Sequence, residues 1–339
     1  MKILVTGGLG FIGSHTVVEL HQAGFEPIIV DNLYNSDIQV LDRLEKITDK
    51  RFPYYNVDCL DGVKMREIFK EHKINGVIHF AAYKAVGESV LQPLKYYGNN
   101  LESLTILLTI MEEFSVSNFV FSSSCTVYGE AAELPVTEST PRLPATSPYG
   151  NTKAIGEDIL RDFIYSNPSF QGISLRYFNP IGAHPSAEIG ELPRGVPSNL
   201  VPFLTQVAIG EREKLMVFGD DYDTPDGTCI RDYIHVVDLA KAHVKALELL
   251  QNCPEGSYYD VFNVGTGTGY SVLDLIKTFE EVNDTKLNYE ITQRRPGDVV
   301  KIYAQSDKSN QLLKWKAEKT LGDALKDAWR WQQKINSTK

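Results

Sequence analysis

Cysteine is scarce in this sequence of 339 residues. The four that occur, Cys59, Cys125, Cys229 and Cys253, lack the spacing of a metal or redox motif. Free thiols in a reducing compartment are therefore expected, and with them a cytoplasmic protein without a metal site. Long hydrophobic runs are also missing, since none approaches the roughly 18 residues of a membrane span. The apolar run in the opening MKILVTGG is too short for a signal peptide, so a strand is expected there.

Basic residues are in the minority, with 34 Lys and Arg against 44 Asp and Glu and a formal net charge of -10. Without a positive field, nucleic acid and anionic membrane surfaces are not expected as partners. An anionic substrate would need locally placed Arg or Lys side chains. The length suffices for one large domain or two smaller ones, each with a buried core.

Short β-rich runs alternate with helical patterns through the first half of the chain. The runs begin near residues 3, 27, 52, 76, 118 and 173. This alternation predicts an α/β fold with a Rossmann-type, doubly wound parallel sheet. A Pro- and Gly-rich stretch after about residue 180 marks a domain boundary or a long functional loop. We predict a Rossmann domain over 1–180, to which the chain returns around 233–265, and a smaller α/β substrate-binding domain over 181–339.

A glycine triplet, Gly7, Gly10 and Gly13, follows the first predicted strand and opens the first helix. This spacing lets the backbone approach a pyrophosphate closely at the helix N-terminus. Asp31 ends the second strand, where a carboxylate accepts from ribose hydroxyls and repels a 2′-phosphate. The predicted cofactor is therefore NAD rather than NADP.

Two further strand ends are expected beside this cofactor. Asp58 and Cys59 follow the third strand, where they would flank the adenine, although Asp58 also suits the N-cap of the next helix. Residues 80–82 end the fourth strand, and small side chains there let the backbone meet the cofactor. His79 precedes them among apolar neighbours and is interpreted as a packed structural histidine.

Tyr149 and Lys153 are four residues apart in a helix that Ser147 and Pro148 would begin. The spacing alone is common on helix surfaces. A lysine charge at roughly 6 Å, with an effective dielectric of about 20, would lower a tyrosine pKa by about two units. The fifth strand ends in three serines, of which Ser124 is the expected catalytic hydroxyl. Together these groups indicate hydride transfer at a carbinol carbon.

Nearly the whole chain resembles the extended short-chain dehydrogenase/reductase superfamily and, within it, the UDP-glucose 4-epimerase family. The motifs that carry the resemblance include TGGLGFIGSHTV at 6, DNLYNS at 31, SSSCTVYG at 122, SPYGNTK at 147, LRYFNPIGAHPS at 175, IRDYIHV at 230 and RRPGD at 294. The resemblance implies catalysis by Ser124, Tyr149 and Lys153. It implies interconversion of UDP-galactose and UDP-glucose through a 4-keto intermediate, with NAD as cofactor. It also implies a homodimer, in which a long helix expected from about Ser89 to Phe114 and the helix from Pro148 would pair across a two-fold axis.

The resemblance also implies two sets of binding residues. The NAD set is Gly7, Gly10, Phe11, Ile12, Gly13, Asp31, Asn32, Leu33, Tyr34, Asn35, Ser36, Asp58, Cys59, Phe80, Ala81, Ala82, Tyr83, Lys84, Asn99, Ser124, Tyr149, Lys153, Tyr177 and Phe178. The UDP-sugar set is Ser124, Tyr149, Asn179, Asn199, Leu200, Met216, Val217, Phe218, Arg231, Tyr233, Arg295 and Asp298. Arg231 and Arg295 would supply cations for the diphosphate.

The sequence departs from the family pattern at Ile302, a position where tyrosine accompanies hexose-only enzymes and cysteine or serine accompanies tolerance of N-acetyl sugars. Activity on UDP-N-acetylglucosamine therefore stays open.

Two other functions compete with this interpretation. A nucleotide-sugar 4,6-dehydratase would need an Asp-Glu pair where Cys125 and Thr126 stand. A non-catalytic NAD-sensing protein would have no reason to keep serine, tyrosine and lysine together.

Overall fold

A computed structural model describes residues 1–254, 256–295 and 297–337. The strands are β1 (Lys2–Thr6), β2 (Glu26–Val30), β3 (Tyr54–Tyr55), β4 (Ile74–His79), β5 (Asn118–Ser124), β6 (Gln171–Tyr177), β7 (Asn179–Ile181), β8 (Leu215–Phe218), β9 (Ile230–His235), β10 (Tyr258–Val264), β11 (Gly269–Ser271), β12 (Tyr289–Thr292) and β13 (Lys301–Ile302). The helices are α1 (Phe11–Gln22), α2 (Gln39–Thr48), α3 (Gly62–Glu71), α4 (Val86–Leu91), α5 (Pro93–Glu113), α6 (Pro148–Ser166), α7 (Leu200–Ala208), α8 (Val236–Gln251), α9 (Val272–Asn283) and α10 (Leu321–Ser337).

A seven-stranded parallel sheet forms the main layer, in the order β10-β6-β5-β4-β1-β2-β3. Its central strands are apolar on both faces because helices cover both, and Ile3, Leu4 and Val5 are fully buried. The strand order reverses beside β1, whose neighbours are β2 and β4. Ligands of doubly wound sheets bind at this switch point. The predicted Rossmann-type fold is confirmed.

The second half of the chain contributes to two places. Helix α8 packs against α1, and β10 pairs with β6 at the edge of the main sheet. The remaining strands form a small sheet of β11, β9 and β13 with β7 on β9, and a separate pair of β8 and β12. Helices α7, α9 and α10 pack on these strands around a core that includes Leu204, Phe279 and Leu325. None of the described helices is both long and apolar enough to cross a membrane.

Two local predictions differ from the structure. The continuous helix expected from about Ser89 to Phe114 is divided into α4 and α5, because Pro93 begins a new helix and Gln92 leaves the helical backbone conformation. The cap of α3 is Asp61, whose carboxylate accepts from the Lys64 amide, and not Asp58. Asp58 instead accepts from the side-chain amide of Asn32 at 2.8 Å.

Candidate active site

A cleft of about 590 Å³ lies at the switch point, between the end of β1 and the start of α6. Its floor is the glycine turn. Gly7 has a φ of +68°, and a Cβ there would lie 2.9 Å from the Ala81 amide nitrogen. A Cβ on Gly13 would lie 2.2 Å from the Gly7 carbonyl oxygen. The turn therefore has room only for glycine at these two positions, which keeps the backbone close to the cleft.

Asp31 closes the cleft at the end of β2. Its carboxylate accepts from the Leu9 amide at 3.0 Å, the Leu33 amide at 2.9 Å and the Ser36 hydroxyl at 2.6 Å. These bonds fix the side chain, and its location at the cleft matches the predicted ribose acceptor.

His79 is buried, and its Nδ1 bonds to the Thr6 hydroxyl at 2.7 Å. Burial lowers the pKa of His79 to about 3, which confirms it as a neutral, structural histidine.

The catalytic candidates meet where β5 ends and α6 begins. The Ser147 hydroxyl accepts from the Gly150 amide at 3.2 Å, and Pro148 occupies the first turn, so the predicted helix start is confirmed. One turn later, the Lys153 ammonium donates to the Ser122 carbonyl at 2.6 Å. Its Nζ lies 5.9 Å from the centre of the Tyr149 ring.

Burial controls the ionisation of both groups. It raises the pKa of Tyr149 to about 12, with a smaller contribution from Cys125, while a hydrogen bond with Ser124 acts in the opposite direction. It lowers the pKa of Lys153 to about 7. In the chain alone, burial outweighs any lowering of the Tyr149 pKa by Lys153, because removal from water disfavours both charged forms.

Most of the predicted NAD residues line the cleft. They are Gly7, Gly10, Phe11, Ile12, Gly13, Asp31, Asn32, Tyr34, Asn35, Ser36, Asp58, Cys59, Phe80, Ala81, Ala82, Tyr83, Lys84, Asn99, Tyr149, Lys153 and Tyr177. Leu33, Ser124 and Phe178 are not among the lining residues. Leu33 packs against the core, Phe178 is buried beside Cys125, and the Ser124 hydroxyl accepts from the Thr126 amide at 3.2 Å.

Apart from Ser124 at the end of β5, the predicted UDP-sugar residues fall into two groups. Tyr149 and Asn199 line the cleft, and Leu200 begins α7 beside it. The others belong to the smaller sheets and their loops: Asn179 on β7, Met216, Val217 and Phe218 on β8, Arg231 and Tyr233 on β9, and Arg295 and Asp298 in the loop before β13. Arg231 lies close enough to Cys125 to oppose the rise in its thiol pKa. It therefore connects the second group to the end of β5.

Arg295 and Asp298 pair with each other, which the sequence did not indicate. The guanidinium of Arg295 donates to Asp298 at 2.7 Å and lies over the Phe218 ring at 5.5 Å. Asp298, predicted as a free ribose acceptor, is thus already bound to the predicted diphosphate cation. An anionic ligand would have to compete with this carboxylate for Arg295.

Sequence reasoning missed several polar residues in or near the cleft, among them Glu157, Glu191 and Arg194. Glu157 accepts from the Ser123 hydroxyl at 2.6 Å and pairs with Arg176. Glu191 and Arg194 line the cleft from the connection between β7 and α7. A signal for the last two was present, because the Pro- and Gly-rich composition marks this connection as a long functional loop. Glu157 had no such signal, since acids are common on helices.

Comparison with known proteins places the chain among nucleotide-sugar enzymes. The family model described as GDP-mannose 4,6 dehydratase matches residues 4–328. The UDP-glucose 4-epimerase of Bacillus subtilis is 51% identical over 332 residues, covering 98% of this chain and 97% of that protein. The crystal structure of UDP-glucose 4-epimerase from Bifidobacterium longum in complex with NAD⁺ and UDP has a TM-score of 0.95 and 48% identity, covering 99% of both chains. The Stenotrophomonas maltophila enzyme, solved with NAD and formylated UDP-arabinopyranose, has a TM-score of 0.97 and 44% identity, covering 100% of both chains.

The sheet, the glycine turn, and a cleft lined by Tyr149 and Lys153, with Ser124 against Tyr149, define a member of the extended short-chain dehydrogenase/reductase class. Half of all aligned positions are shared with the Bacillus subtilis relative along almost the full length of both chains. The chain belongs to the UDP-glucose 4-epimerase family.

Proposed function

We propose that this protein interconverts UDP-galactose and UDP-glucose by reversible oxidation and reduction at C4 of the sugar. The observation that carries the proposal is one cleft that has the glycine turn at one end and Tyr149, Lys153 and the end of β5 at the other. Such a cleft holds an extended dinucleotide and brings its reactive end to a general base. Relatives at about half identity are named for this reaction.

The residues present fit NAD. A Cβ at Gly7 or Gly13 would collide with neighbouring backbone, so glycine is what permits this tight turn. The N-terminus of α1 lines the cleft beside the turn, as a pyrophosphate requires. Asp31 lies at the cleft with both carboxylate oxygens held in place. When bound, NAD⁺ would supply a hydride acceptor and a positive ring charge.

Side chains of the protein accept and return the proton of the sugar 4-hydroxyl. Tyr149 takes the proton of the sugar 4-hydroxyl as the C4 hydride leaves, which yields a 4-keto sugar. The Ser124 hydroxyl bonds to Tyr149 and can also hold the sugar oxygen. Lys153, fixed by the Ser122 carbonyl, favours the phenolate whenever it is charged. Burial raises the pKa of Tyr149 to about 12, and positive charge nearby favours its phenolate form.

Epimerisation further requires that the 4-keto sugar turn over before it takes hydride back on its other face. Arg231 and Arg295 would hold the diphosphate, while the hexose stays loosely bound. The net redox change is zero, so the cofactor can remain bound between turnovers.

Dehydration is disfavoured at this site although the matching family model is described by a dehydratase. Cys125 occupies the place of an acid after Ser124, and burial raises the pKa of its thiol to about 12. Neither Cys125 nor Thr126 supplies the carboxyl group that would exchange protons during elimination. Product mass measured after incubation should therefore equal substrate mass, without the loss of water that a dehydratase would cause.

The isoleucine at position 302 does not decide whether UDP-N-acetyl sugars are accepted as substrates. It is buried on β13 and packs with Cys125 and Phe178 beside the end of β5. One relative by structure is titled UDP-Glc/GlcNAc 4-epimerase, from Campylobacter jejuni. Steady-state kinetics with UDP-galactose and with UDP-N-acetylgalactosamine measure the tolerance directly.

The decisive test is conversion of UDP-galactose to UDP-glucose by freshly purified protein without added NAD, followed by NMR. Tyr149→Phe should lower kcat by about 100-fold or more, because a general base contributes 10²–10⁴-fold. Tyr165→Phe is the matched control, since Tyr165 is on the same helix and 90% exposed. No conversion by the parent protein, or full activity of Tyr149→Phe, would overturn the proposal.

We also propose a homodimer located in the cytoplasm. Helices α5 and α6 lie side by side on one face of the sheet, and Leu94 at the start of α5 is 84% exposed. Cys59, Cys125 and Cys229 are buried and free, which fits a reducing compartment. Light scattering of the purified protein tests the dimer, and fractionation of cells tests the location.

A further inference from the structure

Residues 190–199 form one wall of the cleft, and residues 31–37 contribute to the facing wall. The first of these walls belongs to the long connection between β7 and α7. Its base is fixed to the protein body, because Ile189 is 1% exposed and the Trp331 indole of α10 donates to the Glu191 carbonyl at 3.0 Å. A Cβ on Gly190 would lie 2.5 Å from the Trp331 ring, so this contact is close.

Arg194 joins the two walls. Its guanidinium donates to the Ser36 carbonyl at 2.5 Å and to the Tyr34 carbonyl at 3.4 Å. Both acceptors belong to the segment that Asp31 organises through its bond with Ser36. The bridge therefore ties the outer part of the connection to the backbone that surrounds the predicted ribose site.

A second contact joins the two sides of the cleft nearer the base of the connection between β7 and α7. Lys84 pairs with Glu191 at 3.0 Å, and the Asn199 side-chain amide donates to the same Glu191 oxygen at 2.6 Å. Glu191 is 12% exposed, whereas Lys84 is 45% exposed, so the pair lies at the rim of the cleft. Arg194 and Glu191 thus hold the connection across the cleft at two separate points.

We propose that residues 190–199 are a cover that retains the bound dinucleotide, and that Arg194 is the positioning residue that keeps the cover closed. This inference rests on the proposed function, because it takes NAD as the occupant of the cleft. The planar guanidinium reaches two carbonyls at once, which fixes the angle as well as the distance between the walls. Both acceptors are backbone carbonyl oxygens, so Arg194 holds the main chain of the facing wall itself. Opening of surface segments precedes ligand release in many enzymes, and here it requires breaking the Arg194 bonds.

The test measures how fast bound cofactor exchanges with deuterated NAD⁺ in the holoenzyme. Samples are freed of unbound nucleotide by rapid gel filtration, and the isotopic composition of the bound cofactor is read by mass spectrometry. Arg194→Ala should exchange roughly 10-fold faster than the parent protein, because it lacks both bonds. Arg194→Lys should be intermediate, since an ammonium lacks the planar fork that spans two carbonyls.

Arg51→Ala is the matched control, because Arg51 is a surface arginine whose partners Asp42 and Glu45 lie outside the cleft. It should exchange at the parent rate, which separates the loss of the bridge between the two walls from the loss of a surface arginine. Exchange by Arg194→Ala at the parent rate would overturn the inference. Protein that purifies without a nicotinamide cofactor and takes up no labelled NAD⁺ would instead refute the proposed function, so the two failures are distinguishable.

Discussion

Glu157 forms a buried ion pair beside the catalytic helix, and neutralising it is a sharp test of how that helix is held. Its carboxylate accepts from Arg176 at 2.8 and 2.6 Å and from the Ser123 hydroxyl at 2.6 Å. The side chains of Glu157 and Arg176 are only 3% and 6% exposed. Because Ser123 is on β5, Glu157 on α6 and Arg176 on β6, the group links three elements around the site.

The perturbation is Glu157→Gln, which keeps the shape and an acceptor for Ser123 but leaves Arg176 without its counter-charge. Removing one partner of a buried ion pair costs about 3–5 kcal/mol of folding free energy. The unfolding entropy of a chain of this length is about 0.7 kcal/mol/K. The midpoint of thermal unfolding should therefore fall by about 4–7 °C.

The assay is thermal unfolding of the purified holoprotein, followed by circular dichroism. Asp162→Asn is the matched control on the same helix, since Asp162 is 73% exposed and such a pair contributes only about 0–1 kcal/mol. Combining Glu157→Gln with Arg176→Met removes both charges and should recover part of the loss. A Glu157→Gln midpoint equal to that of Asp162→Asn would refute the reasoning, as would a double variant that loses the sum of the single effects.

Burial lowers the pKa of Lys153 from 10.5 to about 7, so the folded chain binds fewer protons than the unfolded chain between these values. Stability should rise with pH across that window, and more steeply in the parent than in Lys153→Met; parallel curves from denaturant titrations would contradict this. Asp232 is fully buried and accepts from the amides of Thr266, Gly267 and Ala304 at 2.9, 3.0 and 3.2 Å. Asp232→Asn replaces one of the accepting carboxylate oxygens by an NH₂ group, which cannot accept from these amides. The affinity for UDP, measured by calorimetry, should therefore fall by about 10-fold. An unchanged affinity would show that Asp232 does not position β9.

The fold could be predicted from the sequence because its signals are local. Apolar runs separated by helical patterns specify parallel strands covered on both faces, and the predicted strand starts correspond to β1 to β6. The start of α6 could also be predicted, because Ser147 caps the helix and Pro148 favours its first turn, and both effects are local. The division between α4 and α5 was missed because the apolar periodicity continues through Pro93 and hides the break.

The electrostatics of the site could not be predicted in the same way, because they depend on burial and on partners distant in sequence. The spacing of Tyr149 and Lys153 suggested an ammonium that lowers a phenol pKa. In the fold, that ammonium is itself buried against the Ser122 carbonyl, and the same desolvation acts on the phenol. Likewise, the pairing of Arg295 with Asp298 depends on how the loop folds back on itself, which the motif letters do not specify.

The three serines at the end of β5 show how one local pattern becomes three different functions. Ser122 bonds to the Tyr177 hydroxyl on β6, Ser123 bonds to Glu157 on α6, and Ser124 bonds to Tyr149. Neighbouring side chains of a strand point to opposite faces, so Ser123 lies on the face opposite to Ser122 and Ser124. The strand end thereby joins the cofactor cleft, the buried ion pair and the candidate base in consecutive residues. Replacing Ser123 should thus affect stability, whereas replacing Ser124 should affect the chemical step, although the two hydroxyls are adjacent in sequence.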